Sequence, residues 1–359
     1  MARAAQNQGV STRVILQQGV LADYGVGEAA FVPFGPYPRR WQRRFDDFLA
    51  RRGHARYFMS RLFAPALEAI RFDFDGHVFF HDNLDALAAF QRARPQAKIG
   101  LWLHNYTWRG REPVELKRAL GAAYRIVCVS DFVAQSLLRE CGQLCENLAA
   151  KVVTVLNGVD TERFKPVENR HHQASEPLVI GFAGRIIEKK GVHLLLEAAQ
   201  MLASNPQTNH FKLRFIGSKS IQPGETLSPY EQQLHAQAKP LGPQVEWVGI
   251  VPRDQMPAQL AGCDIFCVPS IWEEPFGLSL LEGMASGAAV VVSRRGGIPE
   301  VARDAALYFE PPQAEALAQN LAKLIENPAL LRESQQKSRE RALELTWAHS
   351  FASLRDQVL

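Results

Sequence analysis

The stretch from Pro269 to Val301 constrains this chain more than any other. An apolar run, Ile265 to Val268, stops at Pro269, and the polar turn Trp272-Glu273-Glu274-Pro275 follows it. A helical pattern then opens near Gly277, with Leu278, Leu281 and Ala285 on one face. A second short strand, Ala289 to Ser293, leads into the Gly-rich turn Gly296-Gly297-Ile298-Pro299-Glu300 and another helix start. The first amides of a helix have no partner within it, and Gly277 carries no side chain to block an approaching ligand. The amides of Leu278, Ser279 and Leu280 therefore make an anion site suited to a diphosphate. Glu274 lies before that helix end and Glu282 about one turn inside it, so two carboxylates bracket the anion position. Carboxylates accept from hydroxyls, which a nucleotide sugar carries on both sides of its diphosphate.

Two glutamates eight residues apart are ordinary by themselves, but a Pro-Phe-Gly turn stands between these two. The pattern Glu274-x7-Glu282 within Glu-Pro-Phe-Gly-x4-Glu, followed by Gly-Gly-Ile-Pro-Glu, resembles the retaining nucleotide-sugar glycosyltransferases of family 4, the group 1 glycosyl transferases. Upstream, Gly184-Arg185 followed five residues later by Lys190-Gly191 is similar to that family's Gly-Arg-x4-Lys-Gly motif. His104, in Leu103-His104-Asn105, resembles the family histidine that faces the donor sugar. The resemblance implies the GT-B fold, with two Rossmann-like doubly wound domains facing a central cleft. It places a nucleoside diphosphate sugar, UDP- or GDP-linked, with its ribose on Glu282. The diphosphate lies on Arg185, Lys190 and the amides after Gly277, and the sugar hydroxyls lie on Glu274. Gly184, Phe276, Gly277, Leu278 and Ser279 complete the donor set, and His104 joins Arg185, Lys190 and Glu274 in catalysis. Cations and a helix terminus stabilise the departing diphosphate, so no metal and no cofactor beyond the donor co-substrate is expected, and Arg185 and Lys190 are expected to be removable with little loss of fold.

At 359 residues the chain suits two domains, and 47% hydrophobic against 22% charged residues supports two ordinary cores. Strands at Val78–Phe80, Ile99–Leu103, Ile126–Val129 and Val152–Val155 alternate with helical stretches, and so do those at Phe211–Ile216, Val245–Val248, Ile265–Val268, Ala289–Val292 and Ala306–Phe309. That alternation predicts an α/β protein with parallel sheets and ligands at the strands' carboxyl ends, where His81 and His104 both sit. The reading divides the chain into an acceptor-side domain over 1–165, a nucleotide-sugar domain over 166–345, and a terminal helix over 346–359 that crosses back to the first domain. Asn157-Gly158-Val159-Asp160 closes the first domain and Glu162 to Pro177 is the linker. A helix over Ala2–Gln8 and a strand over Arg13–Gln17 begin the chain. The family opens with a strand and a Gly-rich loop before such a helix, so the first domain is read as lacking its first strand. Gly25-x-Gly27-x-x-Ala30 superficially matches a dinucleotide fingerprint, but Pro33, Gly35 and Pro36 leave no room for the helix it needs.

Residues 35–61 carry eight arginines against two aspartates, a surplus larger than the whole chain's +4. Within them Trp41, Phe45, Phe48 and Leu49 share one helical face. Either that face packs on its domain or Arg39–Arg61 meets an anionic membrane beside a lipid-linked or saccharide acceptor. The five cysteines lack metal-ligand spacing and read as core residues in a reducing compartment. No apolar run has membrane-spanning length and no signal-peptide core follows Met1, which gives a cytoplasmic chain, peripheral on the membrane's cytoplasmic face; no nucleic-acid motif occurs. The function expected is transfer of a sugar in lipopolysaccharide, polysaccharide or glycolipid assembly. Alternatives are a GT-B nucleotide-sugar epimerase and a truncated, catalytically silent sugar-nucleotide-binding protein.

Overall fold

The computed structural model describes every residue except 18–28, 33, 53, 55, 71–75, 94, 95, 168–175, 221–225 and 311. It divides into two compact units, Met1–Leu156 with Trp347–Leu359, and Asn157–Thr346. All the described strand pairings are parallel.

In the first unit β1 (Val14–Gln17) and β2 (Ala29–Val32) pair with each other and, among the described residues, with no other strand, and a four-stranded sheet runs in chain order through β3 (His77–His81), β4 (Lys98–Leu103), β5 (Arg125–Cys128) and β6 (Val152–Thr154). The opening helix is Ala2–Asn7. Most of the Gly-rich stretch before Ala29 lies outside the described residues, and Ala29 itself enters a strand rather than a helix.

The helix Arg40–Arg51 settles its own orientation. Its buried positions are Asp46 and Ala50, one turn apart, and Asp46 accepts from Phe58 N (3.0 Å) and Met59 N (2.9 Å), amides at the start of the helix Tyr57–Leu62. A carboxylate on free helix amides fixes the two helices together. Consequently Trp41, Phe45 and Phe48 point outward, 59%, 45% and 47% exposed. They and Phe58 form one aromatic cluster, with Arg52 stacked over Phe48. The packed alternative therefore fails for these three rings.

The second unit holds β7 (Leu178–Ala183), β8 (Phe211–Ile216), β9 (Val245–Gly249), β10 (Ile265–Val268), β11 (Ala289–Ser293) and β12 (Ala306–Phe309), in the spatial order β12-β11-β10-β7-β8-β9. β10 and β11 are buried along their whole length, which is why they read as unbroken apolar runs. The chain builds outward from β7 through β8 and β9, then returns to place β10 on the other side of β7. Loops leaving the carboxyl ends of β7 and β10 diverge there, and in open α/β sheets this is where ligands bind.

Two expectations need correction. The linker does not begin at Glu162. Val159 pairs with Thr346 and donates to Leu345 O (2.8 Å), and Arg339 donates to the carbonyls of Thr161 and Phe164, so residues 157–164 are bound into the second unit; residues 168–175 lie outside the described ones. The helix after Gly277 runs Leu278–Ala285 but buries Leu280, Leu281, Met284 and Ala285, while Leu278 is exposed. All five cysteines are buried and free.

The same helix sits so close to β10 that a Cβ on Gly283 would fall 2.7 Å from the buried Phe266 ring. Gly283→Ala should therefore cost about 1–3 kcal/mol by overpacking despite alanine's better helix propensity. Gly121, near the end of the helix Pro113–Ala122, has nothing within 4 Å of such a Cβ. Gly121→Ala should be neutral or stabilising. Calorimetric melting of both variants checks the contrast, and equal shifts would refute the packing argument.

Candidate active site

The loop after β7 carries Gly184 and Arg185, both exposed, then a short turn, Glu188–Lys190, and Gly191 at the head of the helix Val192–Ala203. Gly191 has φ 67°, and a Cβ there would overlap Pro269 O. Only glycine lets this turn lie against the strand end of β10, where Ile271 N donates to Lys189 O (3.0 Å). The loop after β11 is seated in the same way. Gly296, at φ 59°, would place a Cβ 2.1 Å from Glu274 O, and Gly297 N donates to that carbonyl (2.7 Å).

Glu274 is at the centre of these three loops, with its side chain 5% exposed. Lys190 Nζ lies 2.7 Å from its Oε1 and 2.9 Å from its Oε2. Trp272 Nε1 donates to Oε1 (2.9 Å), and Ser270 Oγ donates to the same oxygen. Lys189 and Lys190 both lie over the Trp272 ring, 5.5 and 5.4 Å from its centre. Two residues with separate expected tasks, one on the diphosphate and one on the sugar, are thus joined as an ion pair. This corrects the expectation that Lys190 is structurally dispensable, since removing it strands a buried carboxylate. Arg185, by contrast, makes no ion pair among the described residues.

The helix Leu278–Ala285 begins at Gly277, and its first internal bond is Leu281 N to Gly277 O (3.2 Å), which leaves the amides of Leu278, Ser279 and Leu280 ahead of the ladder. Phe276 is 3% exposed and packs beneath the loop rather than presenting its ring. Glu282 is half-buried. Burial lifts its carboxyl to about 7, partly offset by the charges of Arg253 and Arg163. Its carboxyl oxygens have no hydrogen bond among the described residues, so it is an acceptor available to a hydroxyl donor.

In the first unit, His104 follows β4, and its Nε2 lies 2.8 Å from Nδ1 of His81 at the end of β3. Burial lowers the pKa of both rings, His81 to about 4. The sequence signals missed here were faint. A histidine ending each of two successive strands hinted at the pair, and a Trp two residues before the first glutamate hinted at the indole donor. Nothing singled out Ser270, Arg163 or Arg253.

Residues 163–344 match the family described as glycosyl transferases group 1, and residues 1–163 match glycosyltransferase family 4. Alpha-maltose-1-phosphate synthase of Mycolicibacterium smegmatis is 32% identical over 252 residues, covering 65% of this chain and 62% of its own length. Lipopolysaccharide 1,2-N-acetylglucosaminetransferase of Salmonella typhimurium is 27% identical over 283 residues, covering 76% and 68%. The chain spans about six-tenths of the length of several curated relatives that it matches. Among solved structures, Anabaena Alr3699/HepE in complex with UDP and glucose superposes with a TM-score of 0.68 at 18% identity, covering 92% of this chain and 86% of that one. The two Rossmann-like units are those of the GT-B fold.

The raised Glu282 carboxyl gives a prediction with a definite sign. An acceptor of hydroxyl hydrogen bonds works best ionised, so affinity for UDP or GDP should weaken as pH falls through about 7. Glu282→Gln should bind more weakly at pH 8 and lose that part of the pH dependence. Titration calorimetry of both proteins from pH 6 to pH 8 separates the carboxyl from the phosphate's own titration, and parallel profiles would remove Glu282 from the site.

Proposed function

The chain belongs to the glycosyl transferases group 1 family, and from that premise we propose that it moves a sugar from a UDP- or GDP-linked donor to an acceptor hydroxyl with retention of anomeric configuration. One observation carries this reading. At the switch point of the second sheet, the loop after β7 brings Arg185 and Lys190, the Lys190–Glu274 ion pair ties it to the loop after β10, and the helix that opens at Gly277 carries Glu282 one turn inside.

The diphosphate binds on Arg185 and the amides of Leu278, Ser279 and Leu280, and the ribose hydroxyls donate to Glu282. Lys190 turns from Glu274 to the diphosphate, which frees Glu274 to accept from the sugar hydroxyls; Ser270 and Trp272 keep that carboxylate in place. The bond from the anomeric carbon to the diphosphate oxygen breaks, and its electron pair leaves on the diphosphate. The acceptor oxygen bonds to the anomeric carbon on the same face, and its proton passes to the departing phosphate oxygen. Charge grows on the diphosphate as the bond breaks, so preplaced cations stabilise the transition state more than the bound donor. His104 offers a ring nitrogen to a donor-sugar hydroxyl. A divalent ion has no task in this scheme.

Arg185→Ala should leave the fold unchanged and lower kcat/KM by roughly 10²-fold, about 3 kcal/mol. Lys190→Ala should lose a similar rate and also destabilise the second unit. The cost lies toward the lower end of about 3–5 kcal/mol, because two other donors remain on Glu274. Transfer scored by released nucleoside diphosphate, in excess EDTA, tests both points. Wild-type rates in either variant would refute the assignment, and loss of activity on chelation would refute metal independence.

The acceptor in this reading is lipid-linked or a saccharide of the cell envelope, and the protein is cytoplasmic and peripheral on the membrane. The exposed Trp41-Phe45-Phe48 face supports this, because arginines surround it as they would at an anionic headgroup layer. No described helix is long and apolar enough to cross a membrane. The protein should sediment with anionic vesicles at low salt and release as salt is raised. Equal sedimentation of a variant with Arg39, Arg40, Arg43 and Arg44 changed to Ser would exclude the contact.

A further inference from the structure

Two imidazoles meet at the carboxyl ends of β3 and β4. In the register of these strands His81 stands opposite Trp102, and His104 follows Trp102 by two residues, on the same side of the pleat. His81 Nδ1 and His104 Nε2 are 2.8 Å apart. Both rings lie nearly parallel to the buried Trp102 indole, at 12° and 5.2 Å for His81 and 4° and 6.0 Å for His104. Asp82, at φ 53°, fixes the backbone beyond. Its Oδ1 accepts from His104 N (2.8 Å) and Asn105 N (3.1 Å), and its Oδ2 accepts from Asn105 Nδ2 (2.8 Å).

A hydrogen bond between two ring nitrogens needs one donor and one acceptor, so a single proton lies between the rings and the tautomer of one dictates that of the other. Nε2 of His104 is thereby occupied, and Nδ1 is the nitrogen left to meet a substrate. We infer that His81 is a positioning residue for sugar transfer, holding the His104 ring in place and fixing which nitrogen, in which protonation state, His104 presents. This rests on the assignment of His104 to the transfer step.

The electrostatics agree with a neutral pair. Among the described residues, the charged groups acting on it are the two rings themselves, Asp82, and the α-amino group of Met1. Desolvation lowers both imidazoles. At His81 the charges of His104 and of the amino group add to the shift, while Asp82 opposes it at His104. The amino group is itself lowered to about 6 by burial and Arg3. A second proton on the pair would set two N–H groups against each other, so the pair carries at most one positive charge.

His81→Phe keeps a ring on Trp102 and deletes the hydrogen bond. It should lower kcat by about 10- to 100-fold, with donor KM within about twofold and an unchanged melting temperature. In 15N-histidine spectra His104 should lose its single dominant tautomer, and its titration midpoint should move down, because its imidazolium no longer has an acceptor on Nε2. His81→Asn, which sets an amide atom where Nδ1 stood, should restore most of the rate. Wild-type kcat together with an unchanged His104 tautomer and midpoint in His81→Phe would overturn the inference. His104→Ala separates the two claims. If it transfers sugar at the wild-type rate, the assignment of His104 fails and takes this inference with it; if it is inactive while His81→Phe is unaffected, only the role of His81 falls.

Discussion

A carboxylate almost wholly removed from water has to be met by donors, and the candidate site of this protein is built around satisfying one. Glu274 takes the ammonium of Lys190 from the loop after β7 and the hydroxyl and indole N–H of Ser270 and Trp272 from its own loop. Its backbone carbonyl holds Gly297 from the loop after β11. Three loops that are distant in sequence are thereby tied to one residue. Desolvating such a pair costs several kcal/mol per ion, and the Ser270 and Trp272 donors offset part of that cost. Gly191 and Gly296 belong to the same requirement, since a side chain at either would push its loop off the carboxylate.

Glu282 shows what the same residue type becomes eight positions later. With no hydrogen-bond donor among the described residues, its carboxyl is raised by burial to about 7. One glutamate is thus satisfied within the fold, while the other keeps its acceptors open among the described residues. A buried carboxyl raised well above its usual range is a mark of functional sites, and Glu282 stands near the sheet's switch point, where open α/β sheets bind ligands.

The first unit repeats this economy with less charge. Trp102 is buried and supplies a flat surface on which two histidines align, while Asp82 spends its oxygens on the amides that follow. On the outer surface the helix Arg40–Arg51 inverts the usual arrangement, burying an aspartate that another helix needs and exposing aromatic rings that an amphipathic helix ordinarily hides.

Local pattern determined much of this protein. Unbroken apolar runs became buried parallel strands, and most strand limits fell within one residue of their periodicity. The Glu-Pro-Phe-Gly turn opened a helix at Gly277, because glycine spacing and helix-end chemistry act over a few residues and are legible in any chain. Contacts across the sheet were not legible. Lys190 and Glu274 are 84 residues apart and His81 and His104 are 23 apart, and their meeting depends on strand order and register. The unit boundary moved because Arg339, far along the chain, captures the carbonyls of Thr161 and Phe164. The period of Trp41, Phe45 and Phe48 defined a face but not its direction, which the buried bonds of Asp46 decided. Sequence alone supplied the elements and the chemically apt residues; only tertiary structure decided which of them share protons and charge, because those energies depend on distance through space.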